Sequence, residues 1–230
     1  MSKSKSIIGE INYPNEDKYV GSLKDSKRIG MGVYVSHLGD KYIGNFKDDN
    51  RNGVGIEIYK DNEEFIGEWK DNEFSGKGKY KFNTGDVYEG ELSNVKMNGF
   101  GNLRFSKGGD YTGEFKEGKR KGFGVRTYPN KDRYEGEWDR AIKEGFGKMI
   151  FANGDTYEGV FNDDKRNGYG VYKTKKGVMY EGQWKDDMRD GFGCYQFEDG
   201  TKYEGEYKDD ERTGRGFFIF TDGKTQYAGD

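Results

Sequence analysis

The chain has 230 residues, of which 35% are charged and 16% aromatic, and its 39 basic and 42 acidic side chains leave a net charge of only −3. That balance excludes a nucleic-acid binder built on a concentrated basic surface, and the abundance of aromatics argues against a disordered chain. A single cysteine, Cys194, excludes an intramolecular disulfide and a cysteine-rich zinc site.

From the N-terminus, residues 1–6 (MSKSKS) form a basic, serine-bearing tail. It lacks the apolar stretch of a secretory signal and has Ser2 where myristoylation requires glycine. No apolar run approaches 18 residues, so no helical membrane span is expected. A soluble, cytoplasmic chain follows as the expectation. Residues 7–18 (IIGEINYPNEDK) read as the second half of a repeat, with Gly9 in register with Gly32.

From residue 19 a strict period begins. A ring followed two residues later by glycine stands at Tyr19, Tyr42, Phe65, Tyr88, Tyr111, Tyr134, Tyr157, Tyr180 and Tyr203, each 23 residues after the last. Nine copies fill residues 19–225, and 226–230 begin an incomplete tenth, with Tyr227 arriving one residue late. A fixed period in this range signals a repeat architecture.

Numbered from its leading ring, each copy has glycine at position 3, a large apolar residue at position 5 and mostly glutamate at positions 2 and 4. Alternation of period two predicts a half-buried strand. Helix is excluded, because three glycines per copy would each cost a helix about 1 kcal/mol. A polar turn follows, KDDKRNG in the copy at Tyr157. After the glycines at positions 12 and 14 comes a second alternating run, whose inward parity carries Tyr34, Tyr80, Leu103, Met149, Tyr172 and Tyr195. The copy closes on turn dipeptides such as Asn153-Gly154 and Asp199-Gly200. Each unit is therefore one β-hairpin in a long antiparallel meander. The glycines at positions 3, 12 and 14 are expected to seat rings and to curl the sheet.

This spelling, YEGEW-x6-G-x-G with a ring four residues on and a turn glycine before the next tyrosine, resembles the MORN (membrane occupation and recognition nexus) repeat over essentially all of residues 7–229. The resemblance implies an all-β fold, an elongated single-layer antiparallel β-sheet of tandem 23-residue hairpins. It also implies a non-enzymatic scaffold, tether or partner-binding surface without a cofactor. Such repeats serve cytoskeletal, ciliary, flagellar or cortical assemblies, bind membrane phospholipids or a peptide or helix along the aromatic groove, or form a module of a larger enzyme.

Candidate sites are weighed against the repeat. His37 reads as a solvated turn residue and Cys194 as an outward strand residue with no histidine near it in sequence. The recurring carboxylates Glu68, Glu91, Glu114 and Glu137 read as a charged ladder, and no G-x-G triplet continues as a nucleotide fingerprint. No catalytic or metal residue is expected. Arginine at position 10 (Arg28, Arg51, Arg120, Arg166, Arg189, Arg212) forms a basic column, read as neutralised by aspartates of the same turns, with contact to anionic lipid or an acidic partner as the alternative. Position 13 carries Phe100, Phe123, Phe146, Tyr169 and Phe192, read as packing in preference to a stripe for a partner.

Two surfaces are singled out. A groove of Phe46, Trp69, Tyr88, Tyr111, Trp138, Tyr157, Tyr180 and Trp184 is expected to take a protein partner as peptide or helix. An apolar patch of Val20, Val33, Val35, Ile43, Ile56, Ile58 and Ile66 lies on the opposite face, as an interface for a partner or a homodimer, or a seat for the segment Ile7–Ile11 folding back. The expected function is a scaffold for a cytoskeletal or ciliary protein. The alternative is a peripheral tether on anionic phospholipid. The turn between Trp138 and the next strand stands apart, because Arg140, Ala141 and Ile142 replace the usual acidic residues.

Overall fold

A computed structural model describes residues 5–93 and 95–228. The first four residues of the predicted tail and the last two of the incomplete tenth copy lie outside the described residues. The described chain forms strands and turns only, and divides into two compact units, 1–108 with 114–118 and 109–113 with 119–230.

The first unit runs β1 (Ile7–Asn12), β2 (Lys18–Lys24), β3 (Lys27–Val35), β4 (Lys41–Lys47), β5 (Asn50–Ile58), β6 (Glu64–Lys70), β7 (Glu73–Lys81), β8 (Val87–Ser93) and β9 (Lys96–Arg104). Each strand pairs antiparallel with the next. Strand β10 (Asp110–Lys116) is divided between the units. The second unit continues with β11 (Lys119–Thr127), β12 (Arg133–Asp139), β13 (Ile142–Ile150), β14 (Thr156–Asn162), β15 (Lys165–Lys173), β16 (Met179–Lys185), β17 (Met188–Gln196), β18 (Lys202–Lys208), β19 (Glu211–Ile219) and β20 (Thr225–Ala228). These too pair antiparallel in chain order. The all-β, tandem-hairpin class is the one expected.

One face holds the core. The leading ring of each copy is 0% to 2% exposed, and it gets there by lying on its own backbone. In β12 and β13, Gly136 pairs with Gly147. A Cβ at Gly136 would stand 2.5 Å from Tyr134 Oη and 2.6 Å from the Cα of Gly147. A Cβ at Gly147 would stand 2.5 Å from Tyr134 Cζ. Both are closer than atoms can pack, so glycine at positions 3 and 14 leaves the slot that the ring fills. The phenol then donates to the Glu137 carbonyl at 3.1 Å.

Position 12 is different from what the spacing suggests. Gly145 has φ 73° and sits where the β12–β13 register shifts between Gly136 and Trp138. Its neighbour is the Glu137 carboxylate and no ring. It is a bulge residue in the left-handed region, so two glycines per copy seat a ring and the third bends the strand. The turn after position 5 is a two-residue loop with positive φ at both residues, as at Asp163 (50°) and Asp164 (65°). That is the primed hairpin geometry matched to strand twist.

Rings meet edge to face along each unit. Tyr157 lies 5.1 Å from Phe161 at 86° and 5.4 Å from Trp184 at 86°, and Tyr180 lies 5.1 Å from Trp184 at 89°. Each such pair adds about 0.5–1.5 kcal/mol beyond area burial, so the core is a chain of aromatic contacts in place of aliphatic packing.

Candidate functional site: the ring-bearing face and its arginine column

The eight groove rings from Phe46 to Trp184 are 0% to 6% exposed. In each unit they form a floor that is spent on the fold. An upper layer is built from the inward residues of each second strand and from the arginines. Tyr34, Met149, Tyr172 and Tyr195 are half-buried. Two recesses open among them. One, of about 290 Å³ in the first unit, is lined by Arg28, Tyr34, Asp40, Phe46, Arg51 and Glu57 among others. The other, of about 470 Å³ in the second, is lined by Lys143, Met149, Phe151, Phe161, Asp164, Arg166, Tyr172 and Asp187.

Arg28, Arg166 and Arg189 are neutralised, but by a different residue from the one the turns suggest. Arg166 donates through its backbone N–H and Nε to Asp187 Oδ1, both at 3.0 Å, and through Nη2 to the Asp187 carbonyl at 2.6 Å. Asp187 stands in the next hairpin turn, 21 residues on. Arg189 repeats this on Asp210 at 2.9, 2.9 and 2.7 Å, and Arg28 on Asp49 at 2.8, 3.4 and 2.6 Å. Each guanidinium also lies over rings, with Arg166 Cζ 4.2 Å from the Trp184 centroid and Arg51 Cζ 4.1 Å from that of Trp69. These three arginines therefore staple consecutive copies, and the column lids the ring floor by cation–π contact.

A second tie runs along the opposite turns. Asp155 accepts from Tyr172 Oη at 2.7 Å and from the Lys175 N–H at 3.0 Å. The Tyr172 bond, then the Lys175 N–H, hold its carboxyl below the usual carboxylate range. Asp17 does the same for Tyr34 and His37. His37 is thus more than a solvated turn residue: its Nδ1 stands 2.9 Å from Asp17 Oδ1. Cys194 is half-buried, and burial followed by the Glu204 carboxylate pushes its thiol up, away from the nucleophilic thiolate. Among the described residues, no three histidines, cysteines or acids gather as a metal site.

The opposite face gathers the predicted apolar patch into one row. Val20 pairs with Val33, Val33 with Ile43, Ile43 with Ile56 and Ile56 with Ile66. Val35 and Ile58 sit two residues beyond Val33 and Ile56. Val20 is exposed and the other six are half-buried. Segment Ile7–Ile11 does not fold over this row. It forms β1, paired at the edge of β2, with Ile7 and Ile8 exposed. Nor is position 13 packed: Phe100, Phe123, Phe146, Tyr169 and Phe192 are 55% to 60% exposed on this face.

Two charged residues on the ring face escape the repeat reading. Glu57 and Arg126 occupy the parity that elsewhere holds Tyr34, Tyr80 or Leu103. Glu57 pairs with Arg51 at 2.7 Å, and Arg126 is buried. Aligning the nine copies exposes both as exceptions, which is the signal that finds them.

Comparison with known proteins agrees with this geometry. The MORN repeat model matches eight consecutive stretches, 42–64, 65–87, 88–110, 111–133, 134–156, 157–179, 180–202 and 203–225. No curated protein matches the sequence. Among solved structures, the TCP10 domain of Danio rerio CPAP in complex with a STIL peptide is similar at 12% identity, with a TM-score of 0.50, over 98% of this chain and 100% of that one. The Drosophila melanogaster SAS-4 TCP domain in complex with a proline-rich motif of Ana2 is similar at 15% identity and a TM-score of 0.44, over 80% of this chain and 97% of that one.

Proposed function

This chain belongs to the MORN-repeat family, and from that premise we propose that it is a non-enzymatic scaffold which holds a protein partner on its ring-bearing face. The observation that carries the reading is the layer of half-buried tyrosine, methionine and arginine above a floor of fully buried rings. Those are the residue types that dominate binding energy at interfaces, and a rigid floor holds them in place before a partner arrives. The zebrafish domain of like fold was solved with a peptide, which supports the reading at the level of fold. The hairpin of β2 and β3 pairs as the matched copies do, so we count residues 19–41 as a ninth repeat after the half copy at 7–18. A cytoskeletal, ciliary or cortical setting belongs to the proposal and rests on the family alone.

The test is affinity capture with three baits: wild type, Tyr172→Asp on the ring face and Phe146→Ser on the other. A partner retained by wild type and Phe146→Ser but lost from Tyr172→Asp supports the reading. Loss only from Phe146→Ser moves binding to the opposite face. Co-sedimentation with anionic liposomes at low salt, abolished at high salt, would instead establish a phospholipid tether. A second reading, homodimerisation, rests on the in-register row from Val20 to Ile66, whose size and continuity suit an interface.

A further inference from the structure

We propose that the turn at Arg140 and Ala141 leaves a receptor for a carboxylate supplied by the partner, with Arg120 as the receiving group. The proposal rests on the ring face as the binding face and names the partner's chemistry there, an acidic side chain.

Five turns define what is missing. Asp49, Asn72, Asp164, Asp187 and Asp210 each accept from the backbone N–H of the residue 21 earlier, at 2.8 to 3.0 Å. Where that residue is arginine and the acceptor aspartate, Nε joins the same oxygen. Arg120 keeps only the backbone half of this staple, with Nη2 donating to the Ala141 carbonyl at 2.8 Å. Ala141 has no side-chain acceptor to offer, and Arg120 Nε is enclosed without a hydrogen bond. Among the described residues no carboxylate lies within ion-pair distance of this guanidinium, and Asp164 acts on it only through space.

The surroundings place a second cation where another copy has an acid. Arg51 has a further acid in Glu57, but the matching place on β11 holds Arg126, buried and 5.2 Å from the Tyr128 ring. Burial raises Tyr128, and two guanidiniums, Arg120 and Arg126, act against that rise while Asp164 and Asp132 add to it. Arg120 itself is pressed against Trp138, with Cζ 4.5 Å from the ring centroid, and against Tyr111 at 5.6 Å. A charge held among rings with one donor enclosed is costly unless an anion completes it. Nε is the one Arg120 nitrogen enclosed without a hydrogen bond and Nη2 is taken by the Ala141 carbonyl, so a planar carboxylate would approach at Nη1. The apolar floor on either side suits a side chain presented by a peptide better than a lipid headgroup.

Ala141 also has φ 73°, which an alanine adopts only under strain. This gives a control, because glycine relieves strain without adding an acceptor and aspartate does both. Two measurements on the whole chain decide the matter. In thermal unfolding, Ala141→Asp is expected to melt above Ala141→Gly. Equal midpoints, or a lower one for aspartate, would show that Arg120 lacks nothing.

In NMR of the arginine Nε–Hε signals, with Arg120 assigned by its loss in Arg120→Lys, sodium acetate at constant ionic strength is expected to shift the Arg120 signal. An acetyl-Ala-Glu-Ala-Leu-amide peptide should shift it too, and its glutamine twin should not. Ala141→Asp should weaken the response about tenfold or more. A stationary Arg120 signal overturns the proposal, as does a response to inorganic phosphate without one to acetate. If both peptides move Tyr172 and Met149 signals while Arg120 stays still, the ring-face reading survives and the receptor fails. If Arg120 answers acetate but neither peptide touches the ring face, the receptor stands and the peptide reading fails.

Discussion

Two glycines of one strand allow the seating argument to be tested against simple backbone strain. Gly168 and Gly170 lie two residues apart in β15. Gly168 has φ 61°, and an added Cβ would meet Val160 at 3.5 Å, an ordinary contact. Alanine there costs the left-handed conformation alone, about 1–2 kcal/mol. At Gly170 the backbone suits any residue, but the Cβ would stand 2.6 Å from Tyr157 Cζ. The ring would have to retreat by about 1 Å to reach normal contact. It is held by edge contacts to Phe161 and Trp184 and by a 3.0 Å bond from its hydroxyl to the Val160 carbonyl. Losing part of two ring pairs and the bond gives about 2–4 kcal/mol for Gly170→Ala. The assay is chemical denaturation of both variants, with hydrogen exchange across β14 to β16. Asparagine, which tolerates positive φ, should recover part of the loss at 168 and deepen it at 170. Tyr157→Leu should make the second change less than additive with Gly170→Ala. A Gly170→Ala cost equal to or below that of Gly168→Ala would refute the seating argument.

Asp187→Ala should cost about 1–2 kcal/mol, since a half-exposed charged staple is worth less than a buried one. Hydrogen exchange should place the loss at Arg166, and an effect confined to the turn at Asp187 would refute the staple. Alkaline unfolding should be steep. Burial, the leading cause in each case, pushes Tyr42, Tyr88, Tyr172 and Tyr207 up to about 12 from an ordinary value of 10. A raised folded pKa gives stability that is present below pH 10 and lost between 10 and 12 as the unfolded phenols ionise first. Tyrosinate absorbance and circular dichroism should therefore change together, whereas phenols titrating well before the fold is lost would contradict their burial. Ile56→Asp tests self-association: sedimentation as a dimer for wild type and a monomer for the variant is expected if the row seats a second copy. Monomers in both remove that reading.

The hairpins, their parity and the ring core were legible because period two and period 23 are local properties of the chain. What the sequence did not disclose depends on which atoms meet across strands. Positions 3, 12 and 14 are all glycine, yet only register separates two slots for a ring from one bulge. Arginine at position 10 and aspartate nearby suggested neutralisation, but the partner is one hairpin onward because the turn of the next copy folds over it. The exposed phenylalanines misled for the opposite reason. Apolar identity suggests burial, and only the alternation of Gly145, Phe146 and Gly147 reveals that the ring must leave the face its neighbours line. Arg120 was visible only as a loss, in a turn spelled with alanine.

The arginine staples of Arg28, Arg166 and Arg189 point the same way: each is closed by an aspartate 21 positions later. A hairpin of this kind can pair its own strands before the clasp on its arginine exists, because the closing aspartate belongs to the turn of the following hairpin. For these copies the last clasp to close trails the growing end by 21 residues.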